Sequence, residues 1–217
     1  MKEQKEHLQA LSDIRSMMER SSRFISLSGL SGIFAGFFAL IGAYLAYARM
    51  GSYSEDYRSM IRMDREGRVE LVNEMFSYLF IVATCVLVAS LLVGVLLTMR
   101  NSKKRGIRVW DGTAKRLLVN LAIPLVTGGF FCLIMLYHGD IGLIAPATLI
   151  FYGLALINAS KYTFNDIRYL GILEIVLGLI SSFYIGYGLL FWAFGFGVLH
   201  IVYGAVMYFK YERNFRR

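Results

Sequence analysis

Cysteine and proline are almost missing from this chain, with two of each among 217 residues. Cys85 and Cys132 both fall inside long apolar runs. Neither has the spacing of a disulfide framework or a metal site, so both read as reduced packing residues. Pro124 and Pro146 also lie in apolar runs, where they kink or start a helix. Catalytic signatures are missing too: no GxSxG, HExxH, P-loop or CxxC occurs. Gly195-Phe196-Gly197 permits close helix approach but is no phosphate loop, because that needs a strand before it and a helix after it, outside a membrane. The chain is therefore expected to be no enzyme, with no metal and no cofactor.

What fills the chain instead is apolar. Hydrophobic residues make up 57% of it, against about 45–50% in soluble domains. Six apolar runs are readable: 24–47, 76–99, 117–137, 141–159, 167–187 and 189–209. Each has roughly 19 to 24 residues, enough to cross a ~30 Å hydrocarbon core at ~1.5 Å per residue. Barrel strands fit poorly, because the runs are continuous and longer than about 10 residues. The expected fold is all-α, an integral membrane bundle of six transmembrane helices. Residues 1–23 form a cytoplasmic amphipathic leader and 24–209 the membrane domain, with an outer segment at 51–75 and a basic connection at 100–116. Residues 210–217 form a basic tail.

The net charge of +8 could suggest nucleic acid, but its placement argues against that partner. With the N-terminus inside, 18 of the 23 lysines and arginines fall on the inner side, which is the positive-inside pattern. Both termini are then cytoplasmic, in a plasma membrane. Arg100, Lys103, Lys104, Arg105 and Arg108 concentrate five of those charges in one connection. That cluster suits anionic lipid on the cytoplasmic face, at about 1 kcal/mol per charge near the surface. No recognised nucleic-acid-binding fold fits so short a loop.

In the leader, Leu8, Leu11, Ile14 and Met18 form an apolar stripe, with Arg15, Glu19 and Arg23 on a charged face. Such a helix lies on the inner leaflet, or docks a cytosolic protein partner. In the first span, Ser28, Gly32 and Gly36 make a small-xxx-small ladder that lets another helix approach closely, either within the chain or from a second copy in a homo-oligomer. The outer segment mixes charges of both signs, and Ser52 with Glu55 would make a capping box. Asp111 or Thr113 is placed to cap the third helix and Asp140 the fourth. Asn120 and Asn158 are level and could bond to one another. Phe151-Tyr152-Gly153 and Val202-Tyr203-Gly204 end two hairpins alike, which suggests a duplicated C-terminal hairpin.

One carboxylate stands apart. From 170 to 183 the chain reads LGILEIVLGLISSF, and Glu174 is its only ionisable residue. An acid there is costly unless it is paired, protonated or functional. Counting from a turn centred near residue 187 puts Glu174 and His200 level across an antiparallel hairpin. Three readings stay open: a polar pair that locks two helices, a proton or ion site, or no contact at all.

The stretch 17–33, MMERSSRFISLSGLSGI, resembles the opening of a family of uncharacterised small six-span membrane proteins of Bacteroidota-type bacteria. The tail 196–204, FGVLHIVYG, is similar to that family's last span. The resemblance implies a bacterial inner-membrane protein, and members of the family tend to be encoded beside a winged-helix transcriptional regulator. No established activity comes with the family. The function expected from the sequence is thus non-enzymatic sensing or scaffolding with a cytosolic partner. The alternative is a small proton- or cation-coupled transporter or channel using Glu174 and His200.

Overall fold

Long apolar runs with few helix breakers leave the backbone one way to satisfy its own polar groups away from water, which is the helix. A computed structural model describes residues 27–60, 65–106 and 110–212, and of 51–60, 65–73 and 105 the backbone alone. The expected leader, Arg108 and the tail beyond 212 lie outside the described residues. Six helices follow in order: α1 (Gly29–Met60), α2 (Arg65–Arg105), α3 (Gly112–His138), α4 (Ile144–Ser160), α5 (Asp166–Phe183) and α6 (Gly188–Glu212). No strand occurs among the described residues.

Five segments are long and apolar enough to cross a membrane: Gly29–Met50, Glu74–Lys104, Gly112–His138, Ile141–Ser160 and Gly188–Glu212. This is the make-up of a multi-pass membrane protein. The run expected at 167–187 is not among them. Its helix, α5, has 18 residues, about 27 Å at 1.5 Å per residue, and carries Asp166, Arg168 and Glu174. Those three ionisable groups, rather than its length, set it apart from the others.

Neighbours form a chain: α2 on α1, α1 on α6, α6 against α4 and α5, and α4 also on α3, with α4 and α5 the most extensively packed pair. Glycine makes the closest approaches. A methyl group added to Gly153 would fall 2.5 Å from the Gly171 carbonyl oxygen, and one on Gly171 2.7 Å from that of Gly153. Backbones that close gain dispersion contact, which matters where lipid competes equally for apolar side chains.

Polar side chains are prominent among the most deeply buried ones. The largest fully buried side chains are Leu149, Glu174, Thr163, Pro146, Ser102 and Ser181, four of them polar, while Phe80, Leu96, Phe130 and Phe183 are exposed. Apolar exposure on this scale needs a solvent as apolar as lipid.

Helix ends follow local chemistry in some places and not in others. Asp111 caps α3, its carboxylate accepting from the Ala114 N–H at 2.6 Å. Gly139 closes the same helix in the left-handed region at φ 84°. Asp140, expected to cap α4, makes no side-chain cap, because a single 3₁₀ turn, Ile141–Leu143, comes between them. Nor do Ser52 and Glu55 start a helix, since α1 runs through both. Asn120 donates to the Arg116 carbonyl one turn back in its own helix at 2.8 Å, not to Asn158. Within a span that local acceptor is always in reach, whereas a partner on another helix depends on rotation.

Candidate functional site

Glu174 lies on the face of α5 that also carries Leu170, Gly171, Gly178 and Ser181, all buried. Its own side chain is fully buried. Across from it, α6 departs from regular α geometry: Ala193–Leu199 is a π-helical turn, followed by α-helical His200–Met207. Such wider turns inside helices are often found at functional sites. This one carries Gly195 to the carboxylate. A methyl group on Gly195 would sit 2.5 Å from Glu174 Oε2 and 2.6 Å from a Leu149 methyl, so the missing side chain is what lets the acid lie against the turn.

His200 is buried and holds two hydrogen bonds. Its Nδ1 lies 3.0 Å from the Gly195 carbonyl oxygen, and its Nε2 lies 2.7 Å from the Tyr152 hydroxyl on α4. A carbonyl can only accept, so the tautomer is assigned from its partner: Nδ1 carries the hydrogen. In the neutral ring Nε2 then accepts from the Tyr152 O–H. Phe196 braces the group, its ring centroid 4.9 Å from that of Tyr152 and 5.9 Å from that of His200.

Glu174 and His200 do come together, but not as a hydrogen-bonded pair. Nδ1 and Glu174 Oε1 are 3.4 Å apart, and the Nδ1 hydrogen already points to Gly195. Both carboxyl oxygens are buried without a hydrogen-bond partner. An acid in this state is the costly case: a charge there would lack any donor, at several kcal/mol. Simple helix locking would instead use both oxygens.

A second polar group closes the end of the bundle where α1 begins and α6 finishes, here called the leader end. There α6 is π-helical again over Tyr208–Glu212. Lys210 Nζ donates to both oxygens of Asp166 at 3.0 Å, and the Tyr211 hydroxyl donates to Oδ2 at 2.6 Å. Partial burial pushes the Asp166 carboxyl up, but the hydrogen bonds from Tyr211 and Lys210, with the Lys210 charge, outweigh it. They hold the group below the usual carboxylate range. Glu212 Oε1 accepts from the Gly29 N–H, which satisfies a free donor at the start of α1, a helix with no acid of its own in the first turn.

The remaining sequence-derived residues fall in two places. Ser28 is buried just ahead of α1, and Gly32 and Gly36 face α6. A methyl on Gly36 would be 2.5 Å from the Gly197 carbonyl oxygen, and one on Gly32 would be 3.2 Å from the Gly204 Cα. The glycine ladder thus meets glycines of the same chain. Lys103 and Lys104 are exposed at the end of α2, as is Arg100, while the side chain of Arg105 and all of Arg108 lie outside the described residues. Tyr152 was legible in the sequence only as part of a repeat. The missed signal is its depth, since a phenol near the middle of a span, away from the interfacial belt, needs a partner.

Among the described residues no group of three His, Cys, Asp or Glu side chains is placed to hold a metal ion. No family model, curated protein or solved structure matches the chain.

Proposed function

We propose that this chain is a non-enzymatic, proton-sensing protein of the bacterial inner membrane, with Glu174 as the proton-binding group and His200 and Tyr152 as its setting. The observation that carries the reading is the pair of buried, unpartnered carboxyl oxygens beside a histidine whose own bonds are satisfied. A carboxyl group held this way changes its energy by several kcal/mol between neutral and charged forms. Gaining or losing one proton therefore reshapes the balance of the whole bundle. Two ionisable side chains and a phenol are too few oxygen donors for a calcium ion, which takes about six to eight, but they suffice for a proton.

In this reading α5 is a sixth span, short and kept in place by α4, and both termini are cytoplasmic, as the positive-inside count favours. The family of small six-span proteins that the sequence resembles is its natural home. Arg100, Lys103, Lys104, Arg105 and Arg108 hold anionic lipid, and the leader engages a cytosolic protein partner. Duplication of the last hairpins is part of the proposal. It is supported by Gly153 and Gly204, which end the two matching tripeptides, Phe151-Tyr152-Gly153 and Val202-Tyr203-Gly204, and both sit at backbone-to-backbone contacts.

A hydrophobic carbodiimide tests the site. It reacts with a neutral carboxylic acid, whose oxygen adds to the central carbon while its proton goes to nitrogen. Glu174 in proteoliposomes should label, labelling should fall as the pH rises, and Glu174→Gln should abolish it. Labelling that ignores pH would overturn the reading. A second reading, proton-coupled transport, is favoured by the same intramembrane acid. It requires pH-driven flux that Glu174→Gln abolishes, and a silent wild-type protein excludes it. Deletion of residues 1–20 should lose a co-purifying cytosolic protein if the leader docks one. A pull-down unchanged by the deletion counts against that partner.

A further inference from the structure

Two stretches of α6 leave the α-helical pitch, and each carries contacts to other helices. Ala193–Leu199 brings Gly195 to Glu174 and His200, and Tyr208–Glu212 brings Lys210 and Tyr211 to Asp166 and Glu212 to Gly29. Between them, His200–Met207 is plain α-helix. It packs closely on α1 through glycine: the Cβ that Gly204 lacks would fall 2.6 Å from the Ile33 nitrogen and 2.7 Å from the Gly29 carbonyl oxygen. A π turn holds one residue more than the α turn it replaces. Tightening or widening it moves the residues beyond it along the axis, by less than the ~1.5 Å rise of one residue. The segment between the two turns is regular helix, so a movement at one turn reaches the other.

We propose that α6 couples the proton state of Glu174 to the root of the N-terminal leader, the first π turn being the trigger and the Glu212–Gly29 contact the output. The inference rests on the proton-binding reading of Glu174. While Glu174 keeps its proton, the His200 Nδ1–H stays on the Gly195 carbonyl and pins the turn. Once that proton has left for the aqueous phase, the carboxylate at 3.4 Å is the stronger acceptor for the same N–H. The ring then turns to Glu174, Gly195 is released, and the segment beyond relaxes. Among the described residues, the titratable groups facing Glu174 are His200 on α6 and Tyr152 on α4. At the far end Lys210, Tyr211 and Glu212 are consecutive on α6, and Asp166 stands at the start of α5. The chain leaves α1 towards the leader through Leu27, whose carbonyl accepts from Asn101 Nδ2 at 3.4 Å and whose side chain packs on Ala114, Leu117 and Ala159. A change at Gly29 is therefore felt two residues from the leader's exit.

The Gly29 amide reports the output directly. Hydrogen exchange of the full-length protein in nanodiscs, corrected for intrinsic rates, would be compared at about pH 5 and about pH 9, on either side of neutrality. The wild type should exchange at Gly29 about tenfold faster at the higher pH, within the usual range of coupling between sites. Glu174→Gln and, as a second variant of similar volume, Glu174→Met should show no difference between the two conditions. Glu212→Ala should exchange fast at both. Equal protection in the wild type, with Glu174 still labelled by carbodiimide in a pH-dependent way, overturns the coupling and leaves the proton site standing. A pH response that survives in Glu174→Gln overturns it as well. Labelling that ignores pH removes the proton site and the coupling together.

Discussion

The α2 span and α5 make opposite use of the same solvent. From Glu74 to Lys104 α2 is the most apolar stretch of the chain, and only its terminal residues are ionisable. Leu87, Leu91, Leu92, Val95 and Leu96 all stand exposed, and nothing lies within 4 Å of where a Cβ on Gly94 would be. By contrast α5 carries Asp166, Arg168 and Glu174 in 18 residues, and it buries Glu174 and Ser181 completely. In lipid an apolar side chain gains little by leaving the solvent, so the buried positions take in polar groups that lipid cannot accommodate and small residues that let backbones close.

That contrast breaks hardest at the glycines. Gly36→Leu drives a side chain into the Gly197 carbonyl and Ile201 and should destabilise by about 3 kcal/mol. Gly94→Leu, on the open face of α2, should stay within about 0.5 kcal/mol. Thermal denaturation in one detergent compares the two, and equal losses would mean that α2 is covered as α1 is.

A smaller effect of opposite sign is expected at the acid. Glu174→Met removes a polar group without partners and keeps its volume, so stability should rise by about 1–2 kcal/mol, while carbodiimide labelling disappears. A loss of more than about 2 kcal/mol would instead make Glu174 a structural lock. Next comes Tyr152→Phe, which leaves the His200 Nε2 without its donor and should lower stability by about 1 kcal/mol. In exchange measurements it should loosen α4 from α6 while sparing α2.

The smallest shift belongs to the leader-end clasp. Lys210 is half exposed, so Asp166→Asn should cost no more than about 0.5–1 kcal/mol. The direction with pH is fixed by the depressed Asp166 carboxyl. Its contribution is complete above the ordinary aspartate value of about 4 and is lost as the pH falls through the lower folded-state value. An acid titration in which wild type and Asp166→Asn converge at low pH checks this. Curves that stay parallel contradict it.

Helix positions were largely legible, because runs of span length admit no other backbone. The cap at Asp111 was legible for the same local reason. The Glu174–His200 approach was legible as a matter of level, since rise per residue is fixed. Its chemistry was not. The π turn at Ala193–Leu199 adds a residue to α6 and changes which groups face α5, and no counting from the turn anticipates that. Tyr152 comes from α4, a helix outside the hairpin that was counted. The ladder of Ser28, Gly32 and Gly36 announced a close approach but could not say to which helix.

Composition and run length alone therefore determined that this chain is a bundle of apolar helices, because the free energy of a backbone in hydrocarbon depends on its own segment. Tertiary structure alone decided that Glu174 keeps two unpartnered oxygens, that His200 turns its hydrogen to Gly195, and that Glu212 reaches Gly29. Those outcomes depend on helix rotation and on hydrogen-bond competition over 3 Å or so, and such competition is settled between segments far apart in the chain.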